Sequence, residues 1–228
     1  MKLSDSLSKT IKDSELTDVS KDLIEVGIDA WIENDILKDI PIIGTLTSLI
    51  KTSKSVSNYF FLKKIISFIN GIKDISIEER LELIDKIDND KKYRLKVGEQ
   101  LLYIIQSCED HLVASYLSQI FLAFLRRRID YDQYIVASSI IHRMSTYEIE
   151  LFIDKKENLE RIGSGEEVPN EEDFTFIRLG LLGFSTEPIR VEENDDWKND
   201  ERFIVRGGEV VIWTTPIGKI FWDHLSKI

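Results

Sequence analysis

Cysteine is almost missing from this chain: its 228 residues include one, Cys108, so no internal disulfide can form. That suits a reducing compartment, and the setting LLYIIQSCED makes the thiol a small buried side chain of a helix. Histidine is scarce as well. His111, His142 and His224 stand far apart, with no HxxxE or CxxC partner, which gives no ground for a metal site. The phosphate-binding GxxxxGK[ST] loop, a GxGxxG following a strand and a GxSxG elbow are all missing. Carboxylates are so numerous that pairing two of them on paper carries no information. The expectation is a protein without catalytic residues, cofactor or metal.

Positive charge is also in short supply. Lys and Arg number 30 against 41 Asp and Glu, a net charge of -11, whereas nucleic-acid affinity comes mostly from cations neutralising phosphates. Nucleic acid is therefore not an expected partner. Long apolar runs are missing too: Ile40 to Ile50 is uncharged but well short of the ~20 residues that cross a bilayer. The start, MKLSDSLSKTIKDSELTD, lacks the apolar core of a secretion signal. The expected location is the cytoplasm, with peripheral contact to a membrane as the further possibility.

What the chain does contain is one acid-free stretch, Ile40 to Lys73, whose only charges are five lysines. The remainder then carries 25 bases against 41 acids, a net of -16 beside this +5 segment. Pro41 suits a first helical turn, where its missing N–H has no partner to lose. On a helical wheel Ile42, Ile43, Leu46, Leu49, Ile50, Val56, Phe60 and Phe61 share one side, and Lys51 and Lys54 lie opposite with the small polar residues. The pattern predicts about twenty residues of amphipathic helix. From Leu62 the apolar positions move to the other face, and Asn70-Gly71 reads as the stop. Two uses fit: a contact with a membrane or partner through Ile42, Ile43, Leu46, Leu49, Ile50, Lys51, Lys54, Phe60 and Phe61, or the inner helix of a core. An acidic helix from Leu16 to Asn34 precedes it, its stripe of carboxylates complementary to the lysines.

Beyond the stretch, Ser76 with Glu79 predicts a capped helix, and His111 to Leu125, apolar on most of its circumference, predicts the central core helix. Arg126, Arg127 and Arg128 follow at its negative end. Two domains are expected, a helical one over 1–129 and a second over 130–228. In the second, Asp130 with Gln133, Ser145 with Glu148, and Asn170 predict short capped helices. Gly163-Ser164-Gly165 reads as a hinge. Phe203 to Arg206 and Val210 to Trp213 predict a hairpin turning at Gly207-Gly208, and a closing helix starts near Pro216. The fold class is thus mostly α: an N-terminal helical bundle, then a winged-helix-like α+β module with a C-terminal β-hairpin. Residues 157–200 hold 13 acids and 4 bases, so this module is expected to bind protein rather than DNA.

The run Ser145-Thr-Tyr-Glu148-Ile149, then Phe176-Ile-Arg-Leu-Gly-Leu-Leu182, then Trp213-Thr-Thr-Pro-Ile-Gly218-Lys-Ile-Phe221 resembles the C-terminal half of the bacterial Abi-alpha family over residues 130–225. That resemblance implies an accessory protein of phage-defence, or abortive-infection, type, without catalytic residues to carry over. The expected function is a non-enzymatic effector acting through protein or membrane-surface contacts, and the alternative is a winged-helix regulator that binds DNA.

Overall fold

The computed structural model describes residues 2–14, 16, 38–53, 55–90, 96–161, 169–193, 203–208 and 210–228, with the backbone alone at 13 and 157–161. The expected acidic helix after Leu16, Lys54 and the Gly163-Ser164-Gly165 hinge lie outside these residues. The described chain is mostly α, with a small antiparallel β region near its C-terminus. It divides into two compact units, Met1–Glu150 with His224–Ile228, and Leu151–Asp223.

The first unit is a helical bundle of α1 (Leu3–Asp13), α2 (Pro41–Ser53), α3 (Val56–Ile72), α4 (Ile77–Asp88), α5 (Val97–Ser107), α6 (His111–Leu125) and α7 (Tyr131–Ile141). Its centre is the pair α3 and α6. Ile65, Ile66, Phe68 and Ile69 of α3 and Leu117, Ile120 and Phe121 of α6 are fully buried, and the Phe68 and Phe121 rings lie 5.5 Å apart. Gly71 does not stop α3 but permits this approach, because a Cβ there would fall 1.8 Å from the Ser118 hydroxyl of α6. Tyr134 of α7 stacks on Phe124 and packs at a tilt on Phe121, and Tyr131 packs at a tilt on Phe124, which is why α7, expected in the second module, belongs to this unit. The three arginines end α6: Arg127 takes the left-handed conformation at φ 57°, and the Arg126 N–H closes on the Leu122 carbonyl.

Helix α1 was not foreseen, although Leu7 and Ile11 are spaced for one and both are buried. Its C-terminal end is held by Arg80, whose guanidinium, 1% exposed, donates to the carbonyls of Ile11 at 2.7 Å and Ser14 at 2.8 Å. A cation there meets the negative end of the helix as well as its unpaired acceptors.

The second unit contains most of α8 (Thr146–Arg161), α9 (Glu171–Arg178), strands β1 (Leu182–Thr186), β2 (Arg190–Glu193), β3 (Phe203–Arg206) and β4 (Val210–Thr214), and α10 (Pro216–His224). Phe152 packs between Phe176 at 5.0 Å and Trp222 at 5.2 Å, and the Trp222 indole N–H donates to the Phe152 carbonyl at 2.8 Å. Lys155 and Asp173 form an ion pair at 2.5 Å, their side chains only 10% and 1% exposed. The capping boxes are as the sequence spaced them: Asp130 with Gln133 and Asn170 with Asp173 exchange both hydrogen bonds.

The hairpin differs from expectation. Gly207-Gly208 is no turn: β3 pairs with β2 and β4 with β1, so β3 and β4 are successive parts of one arm. Both ladders share one register, Thr186 facing Val210 and Arg190 facing Arg206, so residues 188 and 189 stand opposite 208 and 207 in a single long ribbon. Pro188 has no N–H to donate, and both glycines have φ near +85° (85° and 84°), so the ladder breaks there. A Cβ on Gly207 would come within 2.2 Å of the Pro188 carbonyl oxygen. Strands β1 and β2 were missed, since a turn placed at the glycines had left them no role.

Candidate functional site

The acid-free stretch forms two helices rather than one. Ser55 accepts a hydrogen bond from the Asn58 N–H at 3.4 Å and so caps a new helix, α3, instead of continuing α2. The Asn58 amide in turn donates to the Ser53 hydroxyl at 3.3 Å, which ties the two helix ends together at the corner. This break resets the helical phase, and the residues placed together on the wheel part company.

Ile42, Ile43 and Leu46 are fully buried and Ile50 nearly so, which corrects their assignment to a contact face: they are core residues of the bundle. They face inward because α2 is pinned from its first turn. The Ile42 N–H donates to the Thr10 hydroxyl at 3.0 Å, and the Thr45 and Ser6 hydroxyls meet at 3.1 Å. Leu49, at 40% exposure, and Lys51 point outward, as do Val56 at 67% and Phe60 at 56%. Phe61 is half-buried, and Lys54 is not among the described residues. The expected contact set thus separates into an inner row and an outer set of Leu49, Lys51 and Phe60, which the exposed Val56 joins at the corner.

The corner's chemistry is simple. The hydroxyls of Ser48, Thr52 and Ser53 each donate to a carbonyl one turn back, at 2.8, 2.9 and 2.8 Å, so the polar face is internally satisfied. Such hydroxyls add little to the polarity of the outer surface. An open depression of about 590 Å³ on the same face of α2 is lined by Lys38, Thr45, Ser48, Leu49, Lys51 and Thr52, again without a carboxylate. Lys64 is committed elsewhere, donating to the carbonyls of Gln106 and Cys108 at the C-terminal end of α5.

Cys108 is 2% exposed, and burial pushes its thiol up to about 12, which keeps it protonated and unreactive. His111, at the start of α6, is held below its ordinary value by burial and by the nearby charge of Lys63, which favours neutral imidazole. The His142 ring meets the Ser138 carbonyl at 3.1 Å. Among the described residues no group of three His, Cys, Asp or Glu could hold a metal ion, and no helix is long and apolar enough to cross a membrane.

Neither a family model, nor a curated protein, nor a solved structure aligns with this chain.

Proposed function

We propose that this protein is a non-catalytic accessory protein acting by surface contact, and that the α2–α3 corner seats it on an anionic membrane surface. The observation behind this reading is the outward set Leu49, Val56 and Phe60 beside Lys51, in a 34-residue stretch with five lysines and no acid. Interfacial binding uses that combination: apolar side chains enter the boundary of the acyl chains, and each lysine near anionic lipid adds about 1 kcal/mol. Elsewhere the chain is acidic, so a charged bilayer would orient the protein with this corner inward. The likeness of residues 130–225 to the Abi-alpha family supports a phage-defence setting for that contact, in the bacterial cytoplasm.

The test is flotation of the full-length protein with phosphatidylserine-containing vesicles and with neutral phosphatidylcholine vesicles. Co-flotation with the anionic vesicles alone is expected, lost in the double variant Val56→Asp, Phe60→Asp and weakened by Lys51→Glu. Failure to float with either vesicle would sink the membrane reading.

A second reading, a winged-helix regulator, is favoured by the order of elements: a short helix, a long two-stranded arm and a closing helix. Charge opposes it, because α9 opens with Glu171, Glu172 and Asp173 where phosphate would have to approach. Binding to random duplex at low salt is expected to be undetectable.

A further inference from the structure

Every residue of strand β2, Arg190 to Glu193, is exposed. Among the described residues β2 pairs with β3 alone, so its other edge keeps backbone N–H and C=O groups on which a further strand could form hydrogen bonds. Pro188, without an N–H, ends the pairable run on one side. A ribbon of two strands is marginal by itself, and an added strand would steady it.

The ladder of this outer ribbon, β2 with β3, sets what the free edge favours. Its two faces differ: Arg190, Arg206 and Glu192 share one, and Val191 and Val205 the other, with Ile189 one step outside the ladder in the same alternation. Arg190 stands directly opposite Arg206, and like charges across a ladder repel. Glu192 pairs with Arg206 at 3.4 Å rather than with Arg190. An antiparallel strand on the free edge is therefore favoured if it sets an acid across from Arg190, an apolar residue across from Val191 and a cation across from Glu192. Read along its own direction, that strand runs cation, apolar, acid. Arg190-Val191-Glu192 has this order itself, so the edge of β2 is self-complementary. The edge of β3 is not, because antiparallel pairing about Val205 would set Arg206 against Ile204.

We propose that β2 pairs with β2 of a second copy, antiparallel and centred on Val191, joining two ribbons into one four-stranded sheet with two-fold symmetry. Arg190 of each copy then faces the partner's Glu192, and the two Val191 side chains meet at the centre. Across the apolar face the row becomes Val205, Val191 and the same two residues of the second copy, giving apolar neighbours to side chains that are 66% and 64% exposed. Glu193, the acid on this face, falls beside the partner's Ile189 at the end of the paired run, where it remains open to solvent. The contact spans only residues 189–193 of each copy, so the association is weak. It is separate from the α2–α3 corner and does not depend on the membrane reading.

The test is sedimentation equilibrium of the full-length protein at low salt over a wide range of concentration. The parent is expected to rise from monomer toward dimer mass as concentration increases. Arg190→Glu sets acid against acid and Glu192→Arg sets cation against cation, so each variant alone should lose the dimer. An equimolar mixture of the two should regain it, since both cross-strand pairs are then opposite in charge, and so should the chain carrying both changes. A parent that stays monomeric throughout would overturn the proposal and leave the edge to a different partner. A dimer that neither variant weakens would overturn it by placing the contact elsewhere, and so would a mixture that stays as monomeric as the single variants.

Discussion

Helix α3 and the outer ribbon are both rich in large apolar side chains, yet one is the centre of a core and the other stands open to solvent. From Leu62 onward α3 is covered by α2, α5 and α6, and five of its large apolar side chains, Leu62, Ile65, Ile66, Phe68 and Ile69, show no exposure at all. Strands β2 and β3 have chiefly each other, and Val191 and Val205 remain about two-thirds exposed, at 64% and 66%. Apolar content makes burial favourable, but neighbours have to be available to supply it. Where they are, the residue stabilises the fold; where they are not, it is free to serve binding.

The largest effect that this contrast predicts is in the bundle. Leu46→Asp places a carboxylate at a site without exposure, and it should cost about 5 kcal/mol or more through lost burial and a desolvated charge. Urea denaturation checks this, and a folded variant with an unchanged midpoint would break the assignment of α2 to the core.

A second effect should be confined to the other unit. Lys155→Met leaves Asp173, 1% exposed, without its cation, at a cost of about 3–5 kcal/mol. Hydrogen exchange should then show residues 151–223 opening while α3 and α6 stay protected. Equal loss of protection in both would mean that the two units unfold as one.

Smaller is the contribution of Cys108. Its raised pKa means that the folded state keeps a proton the unfolded state releases above pH 9.0, so stability should be complete below that and fall as pH rises toward about 12. At pH 8 the thiol should react with iodoacetamide only after denaturation. Rapid labelling of the native protein would show the α5–α6 junction to be open.

The smallest effect on stability is expected at the surface. Val56→Ser with Phe60→Ser should change unfolding by less than about 1 kcal/mol, since both side chains are more than half exposed, at 67% and 56%. Flotation with anionic vesicles should nevertheless be lost. A large destabilisation without loss of flotation would reverse the roles given to the corner and the core.

Local signals were the legible part of this chain. The caps at Ser76, Asp130, Ser145 and Asn170 involve partners three residues away, and all four start helices where their spacing says. The apolar circumference of α6 likewise announced a buried helix. Part of the candidate site was legible too: Leu49, Lys51 and Phe60 lie on the surface, but the wheel had grouped Leu49 and Phe60 with Ile42, Ile43, Leu46 and Ile50. It assumed one continuous helix, whereas Ser55 starts a second, and a cap inside a serine-rich run looks like any other polar position.

The missed features all depend on partners distant in sequence. Arg80 reads as one more surface charge until the end of α1, some seventy residues earlier, is folded against it. Gly207-Gly208 satisfied every local requirement of a tight turn, and only the pairing of β1 with β4 shows that the chain runs straight on. The long arm followed from that register and from Pro188 lying opposite.

By itself the sequence determined the helical class, the helix starts, the want of metal-ligand spacing and the acid-free character of residues 40–73. These rest on composition and on contacts within a turn or two of helix. Tertiary structure decided which apolar residues are core and which are surface, and it turned a predicted tight hairpin into a long two-faced ribbon. Burial and strand register are set by neighbours brought together from across the chain, and periodicity describes a face without saying what will cover it.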